Sequence, residues 1–157
     1  MNKTNMKIVL AAVIIVLWLT AAAQAQERKL TRAQLPPAVE KTVAAESQGA
    51  TIKGFATELE KGRHLYEAEL EINGHSKDIS MDKSGKIVEV EEEVTKDSLS
   101  ADVQNALKAA AGKGTIGKIE SLTKNGKLVA YEAHVTTGRK RSEIQVGPNG
   151  KKLARPE

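Results

Sequence analysis

From Tyr66 onward apolar and acidic residues alternate strictly: Tyr66, Ala68, Leu70 and Ile72 are separated by Glu67, Glu69 and Glu71. A period of two marks a strand with one dry and one wet face, so this stretch predicts a strand that covers a core from one side only. Asn73-Gly74 then supplies the strongest short-range hairpin signal, and Ile79 with Met81 resumes the alternation. Asp82-Lys83-Ser84-Gly85 predicts a second turn, and Ile87, Val88 and Val90 begin a third strand. Residues 66–90 therefore read as an antiparallel meander.

The pattern returns at 131–153. A shift of 65 places Tyr66, Glu67 and Ala68 on Tyr131, Glu132 and Ala133, Ile79 on Ile144, and Gly85-Lys86 on Gly150-Lys151. A shift of 64 places Thr31, Leu35, Val39, Ala45, Thr51, Ile52 and Gly62 on Thr95, Leu99, Val103, Ala109, Thr115, Ile116 and Gly126, so one residue was gained or lost between Gly62 and Tyr66. A self-match of this extent argues for duplication of one module.

Ahead of each meander the apolar spacing changes to four. Leu35, Val39 and Val43 predict a helix within 31–48, with Pro36-Pro37 fitting only its first turn, where no amide donor is needed. Leu99, Val103 and Leu107 predict a second helix over 99–111, which Ser98 or Ser100 can cap and Gly112 to Gly114 stop. Strands are expected at 51–60, weakened by Gly54, and in the second copy at 115–123, 127–136, 139–146 and briefly around 152–154. Each copy reads helix and four strands. The junction at 91–97 has no Pro, Gly or linker composition, which argues for copies packed together.

The fold class this predicts is α+β: two tandem repeats of one helix on a four-stranded antiparallel sheet. Joined edge to edge, the sheets would make one eight-stranded surface with both helices on one face and the other face open, a platform for a protein partner. The domain plan is a signal peptide at 1–25, a flexible lead at 26–30, and repeats at 31–94 and 95–157.

The signal rests on Lys3 and Lys7, the apolar run at 8–19, and Ala23-Gln24-Ala25 as an A-x-A cleavage site, which together predict a periplasmic or secreted protein. The run is short against the roughly 20 residues of a membrane span, which disfavours a retained anchor. With no cysteine, disulfides, thiol redox chemistry and zinc-thiolate sites are excluded. Charge is unevenly divided. Residues 51–94 carry six Lys or Arg against eleven Asp or Glu, whereas 115–157 carry nine against four. Such a dipole is read first as two solvated faces; it can also steer partners or drive head-to-tail self-association at low salt.

Leu35, Pro36, Ala38 and Val39 in the first helix, Gly49 to Ile52, Tyr66 to Leu70, and the ending Asp82, Ser84 to Val90 together resemble the PepSY-like family, the group that also includes the tandem-repeat beta-lactamase inhibitor protein fold. The second copy ends Gly147 to Leu153, with Gly147 in place of the aspartate. The resemblance covers nearly all of 26–157. It implies an extracytoplasmic, non-catalytic module that inhibits or modulates a secreted hydrolase. Aromatic residues are the usual interface anchors, and Phe55, Tyr66 and Tyr131 are the only ones beyond the signal, so a peptidase-type target fits better than a beta-lactamase.

No constellation for catalysis emerges: there is no G-x-S-x-G elbow, no H-E-x-x-H helix and no phosphate-cradling glycine loop. His64, His75 and His134 lack ligand spacing and read as solvated surface residues. No cofactor is implied. Glu67, Glu69 and Glu71 would share a sheet face with Glu89, Glu91 and Glu93 if their strands were neighbours in the right register. They read first as the soluble side of an alternating strand, and alternatively as a site for a basic partner, a small ligand or calcium, which takes six to eight oxygens. Asp82-x-Ser84-Gly85 resembles part of a calcium loop but is explained by a turn. Arg139-Lys140-Arg141 is a basic hairpin cluster; the scarcity of stacking aromatics argues against nucleic acid. The residues expected to face a partner, an exported protein such as a hydrolase, are Glu67, Glu69, Glu71, Glu89, Glu91, Glu132, His134, Arg139 and Arg141. No membrane contact is expected once the signal is cleaved.

Overall fold

The computed structural model describes residues 27–60 and 62–157; the expected signal segment lies outside them. The elements in order are strand Arg28–Leu30 (β1), a 3-10 turn at Arg32–Gln34, helix Pro37–Glu46 (α1), and strands Thr51–Glu60 (β2), Arg63–Ile72 (β3), His75–Met81 (β4) and Ile87–Glu93 (β5). A second 3-10 turn at Lys96–Ser98 leads into helix Ala101–Ala111 (α2) and strands Thr115–Lys124 (β6), Lys127–Thr137 (β7) and Lys140–Val146 (β8). All eight strands form one antiparallel sheet in chain order. The two halves join through β5 and β6, with Val90 opposite Thr123 and Glu92 opposite Ser121.

Hairpin chemistry follows the sequence. Asn73-Gly74 and Asn125-Gly126 both have two successive positive φ angles, 54° and 85°, and 49° and 77°. That is the primed turn whose twist matches the strands it joins. Ser100 caps α2, its side chain accepting a bond from the Val103 amide.

The sheet reaches eight strands by a route the sequence did not suggest. The lead expected to be flexible supplies β1, whose Leu30 sits opposite Phe55 and is buried in the first core. The expected strand near 152–154 is reduced to a single bridge between Val146 and Lys152. The 65-residue shift explains that loss. Ile87 and Val90, which pack on the first core, correspond to Lys152 and Arg155, and Glu91 corresponds to Pro156. Charge in place of apolar residues and a proline without an amide donor cannot sustain the ladder.

Both cores lie on one face. Leu35, just before α1, and Val39 and Val43 of α1 pack on Ala68, Leu70, Ile79 and Met81. Leu99, just before α2, and Val103 and Leu107 of α2 pack on Ile119, Ala133 and Val146. The 82–85 turn closes on α1: Gly85 has φ +80°, and a Cβ there would collide with the Ala38 carbonyl. Gly150, at φ +73°, meets the Asp102 carbonyl of α2 in the same way. Only glycine satisfies both the backbone angle and the clearance.

A bulge falls at a corresponding place in β2 and in β6, each against the strand that follows, and the β6–β7 pair shifts register again between Leu122 and Thr123. In β2 it falls at Lys53 and Gly54 opposite Glu69, and in β6 at Gly117 and Lys118 opposite His134. The order of lysine and glycine is reversed between copies. A Cβ on Gly54 would lie 3.1 Å from the Glu69 carboxylate. At the equivalent place in β6, Lys118 projects a long cationic side chain onto the open face.

Candidate functional site

Parity along the strands puts Glu67, Glu69 and Glu71 of β3, Ser76, Asp78 and Ser80 of β4, and Glu89, Glu91 and Glu93 of β5 on the face away from the helices. Strands β3 and β5 are not neighbours, as the expected sharing of one face had supposed. Strand β4 lies between them and adds Asp78, opposite both Glu69 and Glu91. Beyond the junction, Lys124 faces Glu89, Glu120 faces Glu93, and Glu132 of β7 faces Glu120.

This face is not uniformly wet. Ala56, Leu65, Leu122 and Ala130 share its parity and are each 3% exposed or less. A single cleft of about 430 Å³ is lined by residues from β2 through β8, including Glu58, Leu65, Glu91, Glu120 and Glu143. The sheet is therefore curled so that its open side is a hollow, with a small apolar floor beneath a carboxylate rim.

Glu120 sits at the centre, 3% exposed. Lys118 Nζ lies 2.7 Å from its Oε1 and His134 Nε2 lies 3.1 Å from its Oε2. Ser76 Oγ is 3.5 Å from Oε1 and takes a 3.4 Å bond from Lys118 Nζ, which ties β4 to β6 across the junction. Oxygens of Asp78, Glu91 and Glu120 come within 4.8 Å of one another, as do ligand atoms of Glu120, Glu132 and His134.

Crowding shows in the acidities. Burial, and then the charge of Asp78, push the Glu67 carboxyl up to about 7. Burial, then Glu89 and Glu120, push Glu91 up to about 7 as well. Burial raises Asp78, with Lys118 opposing it, and raises Glu132, with a bond from Gln145 opposing it. Lys118 is raised on balance: burial works against its charge, and Glu120 more than offsets that. At the rim Glu93 is lowered, chiefly by the Ser76 amide.

Of the residues expected to face a partner, Glu89, Glu91, Glu132 and His134 line the hollow, Glu89 paired with Lys124 at 3.2 Å, and Glu67 lies beside it, opposite Ser80. Glu71 sits in an outer pair with Lys53 at 3.4 Å. Glu69 lies over Gly54, Arg141 is exposed opposite Thr136, and Arg139 is in the β7–β8 turn. His134 is not the freely solvated histidine expected, because it is bonded to buried Glu120. Sequence reasoning passed over Asp78, Lys118 and Glu120. The 64-residue shift holds one signal: Ala56 corresponds to Glu120, a carboxylate gained in one copy.

Comparison with known proteins adds the architecture. No protein-family model and no curated protein matches the sequence. Among solved structures, a BLIP-like protein from Bacteroides fragilis matches with TM-score 0.54 and 21% identity, over 74% of this chain and 81% of that one. The fold is BLIP-like. A DUF2874 family protein from Bacteroides ovatus aligns with TM-score 0.59 and 20% identity, over 76% of this chain and 84% of its own. A candidate periplasmic protein from Bacteroides eggerthii aligns with TM-score 0.61 and 20% identity, over 76% and 86%. At these identities the likeness speaks for the BLIP-like architecture alone. Among the described residues no helix is long and apolar enough to cross a membrane.

Proposed function

We infer that this chain is an exported, non-catalytic module that holds a basic segment of a partner protein in the hollow of its open sheet face. The observation that carries this reading is the hollow itself, lined by carboxylates from successive strands around one buried glutamate. Electrostatic complementarity gives such a surface its choice of partner and its association rate. Export is supported by the A-x-A signal pattern, and the PepSY-like motifs support restraint of a hydrolase, peptidase-type before beta-lactamase, as the consequence of docking.

The test is affinity capture from the exported fraction with the native chain, with a Glu67→Lys/Glu91→Lys variant, and with Lys86→Glu as a control away from the hollow. A partner retained by the native chain and the control but lost with the double variant supports the reading. Equal recovery by all three overturns it, and an inhibition assay on any hydrolase recovered tests the restraint.

A second reading is a calcium or small-ligand sensor on the same face, favoured by the approach of Asp78, Glu91 and Glu120 oxygens within 4.8 Å. A hard cation would displace Lys118 and hold the Asp78 and Glu91 carboxyls, both raised by burial, ionised. A ligand at a hundred times its Kd stabilises by about 2.7 kcal/mol, so calcium should raise the melting midpoint by several degrees. An unchanged midpoint at millimolar calcium removes this reading.

A further inference from the structure

The two halves differ at one edge. In the first, β5 lies along β4, and its Ile87 and Val90 pack on the core beneath α1, leaving Ile79 1% exposed. In the second, the counterpart of that strand makes one bridge, at Val146 and Lys152; beyond it the tail meets β8 through the Glu157 amide, which donates to Gln145 Oε1 at 2.9 Å, and among the described residues no further ladder runs along that edge. Ile144, which corresponds to Ile79, is accordingly only partly buried. Beside it runs a groove of about 580 Å³ whose walls include Ala106, Ala109 and Ala110 of α2 with Ile144 and Val146 of β8. An unpaired strand edge beside a small-residue apolar groove is the geometry that accepts an added strand, the edge giving main-chain bonds and the groove giving side-chain selection.

Charge defines the occupant. Arg139, Lys140, Arg141, Lys152 and Arg155 around this edge are exposed, and none has an ion-pair partner among the described residues. The other free edge of the sheet, β1, carries Arg28 and Lys29, so a second copy arriving through β1 would set like charges together. The segment that fills the corresponding place in the first half is apolar toward the helix and acidic between, reading Ile87-Val88-Glu89-Val90-Glu91.

We propose that the free edge of β8 and the Ala106–Ala110 groove form a strand-addition site for an extended, alternately apolar and acidic segment of another protein, in the manner in which β5 completes the first half. The site is separate from the open hollow and does not depend on the function assigned to it. Its acidic ligand would be repelled by the carboxylates there.

The experiment titrates a dye-labelled peptide of residues 86–94, KIVEVEEEV, with the native chain and follows fluorescence anisotropy. Saturable binding is expected, weakened at least ~10-fold by Ala110→Glu, which puts an acidic side chain in the groove at an exposed helix position. Lys140→Glu/Arg141→Glu should weaken it and flatten its salt dependence, while Glu91→Lys in the hollow should leave it intact or tighter. A peptide with Ile87→Lys and Val90→Lys should not bind. Absence of binding overturns the proposal, as does binding indifferent to Ala110→Glu. Sedimentation showing a dimer of the native chain that Ala110→Glu dissolves, without peptide binding, would assign the edge to a second copy and equally overturn it.

Discussion

Raising the pH from about 5 to 7.5 should destabilise this protein, and Glu67 with Glu91 sets the size of the effect. Each carboxyl is moved from 4.5 to about 7 by burial and neighbouring charge. Between those values the folded chain binds more protons than the unfolded chain, so stability falls as pH rises and levels off above about 7, where both states are ionised. At about 1.4 kcal/mol for each pH unit, one such group would be worth about 3 kcal/mol unscreened. Both keep some solvent contact, and screening reduces this to about half, or about 3 kcal/mol for the pair. Asp82 and Glu93 act oppositely: folding lowers their pKa values, so the stability they contribute is lost only as pH falls below the ordinary carboxylate range. The window from 5 to 7.5 therefore isolates the hollow. Urea unfolding should show its midpoint falling by about 1–2 M across it at constant slope, for a chain of this size. Glu67→Gln/Glu91→Gln should flatten the profile and be the more stable protein at pH 7.5. A native midpoint that is flat or rises with pH, or a double variant that keeps the native slope, would refute the burial argument.

Gly85→Ala and Gly150→Ala should each cost about 2–4 kcal/mol, combining a left-handed backbone with a collision against α1 or α2, whereas Gly126→Ala, with nothing within 4 Å of its Cβ, should cost about 1 kcal/mol; chemical denaturation of the three variants separates the terms. Lys118→Met leaves buried Glu120 with only His134 and Ser76, and should lower stability by about 1–3 kcal/mol, less in the Lys118→Met/Glu120→Gln double variant. Ser100→Ala removes the α2 cap and should cost about 0.5–1 kcal/mol by the same measurement, the low end suiting a 3.4 Å bond.

The meander, the repeated order of helix and strands and the placement of both helices on one side were legible because they depend on periodicity, and the run from Tyr66 to Ile72 has only one workable orientation. Strand β1 was not, since Leu30 is its one buried residue and a single apolar position has no period. The missing fourth strand of the second half was legible in principle: Lys152 and Arg155 stand where Ile87 and Val90 stand in the first. The hollow depended on curl, which alternation does not encode. Its traces in the sequence are Leu65 and Leu122, apolar residues on the acidic parity, both buried in the structure. Glu120 drew no notice because it stands among Lys118, Leu122 and Lys124, a mixed run that could be mistaken for an ordinary wet strand.

The junction at β5 and β6 is stitched by Val94 N to Ile119 O at 2.9 Å, Asn125 N to Val88 O at 2.9 Å, the Lys124–Glu89 pair and the Ser76–Lys118–Glu120 cluster. Separating the halves at this boundary would strip the β5–β6 ladder and leave Glu120 without the Ser76 hydroxyl beside it. With a shared ladder and a shared buried carboxylate at the seam, each half leans on the other, and either one expressed alone would present a bare strand edge to solvent.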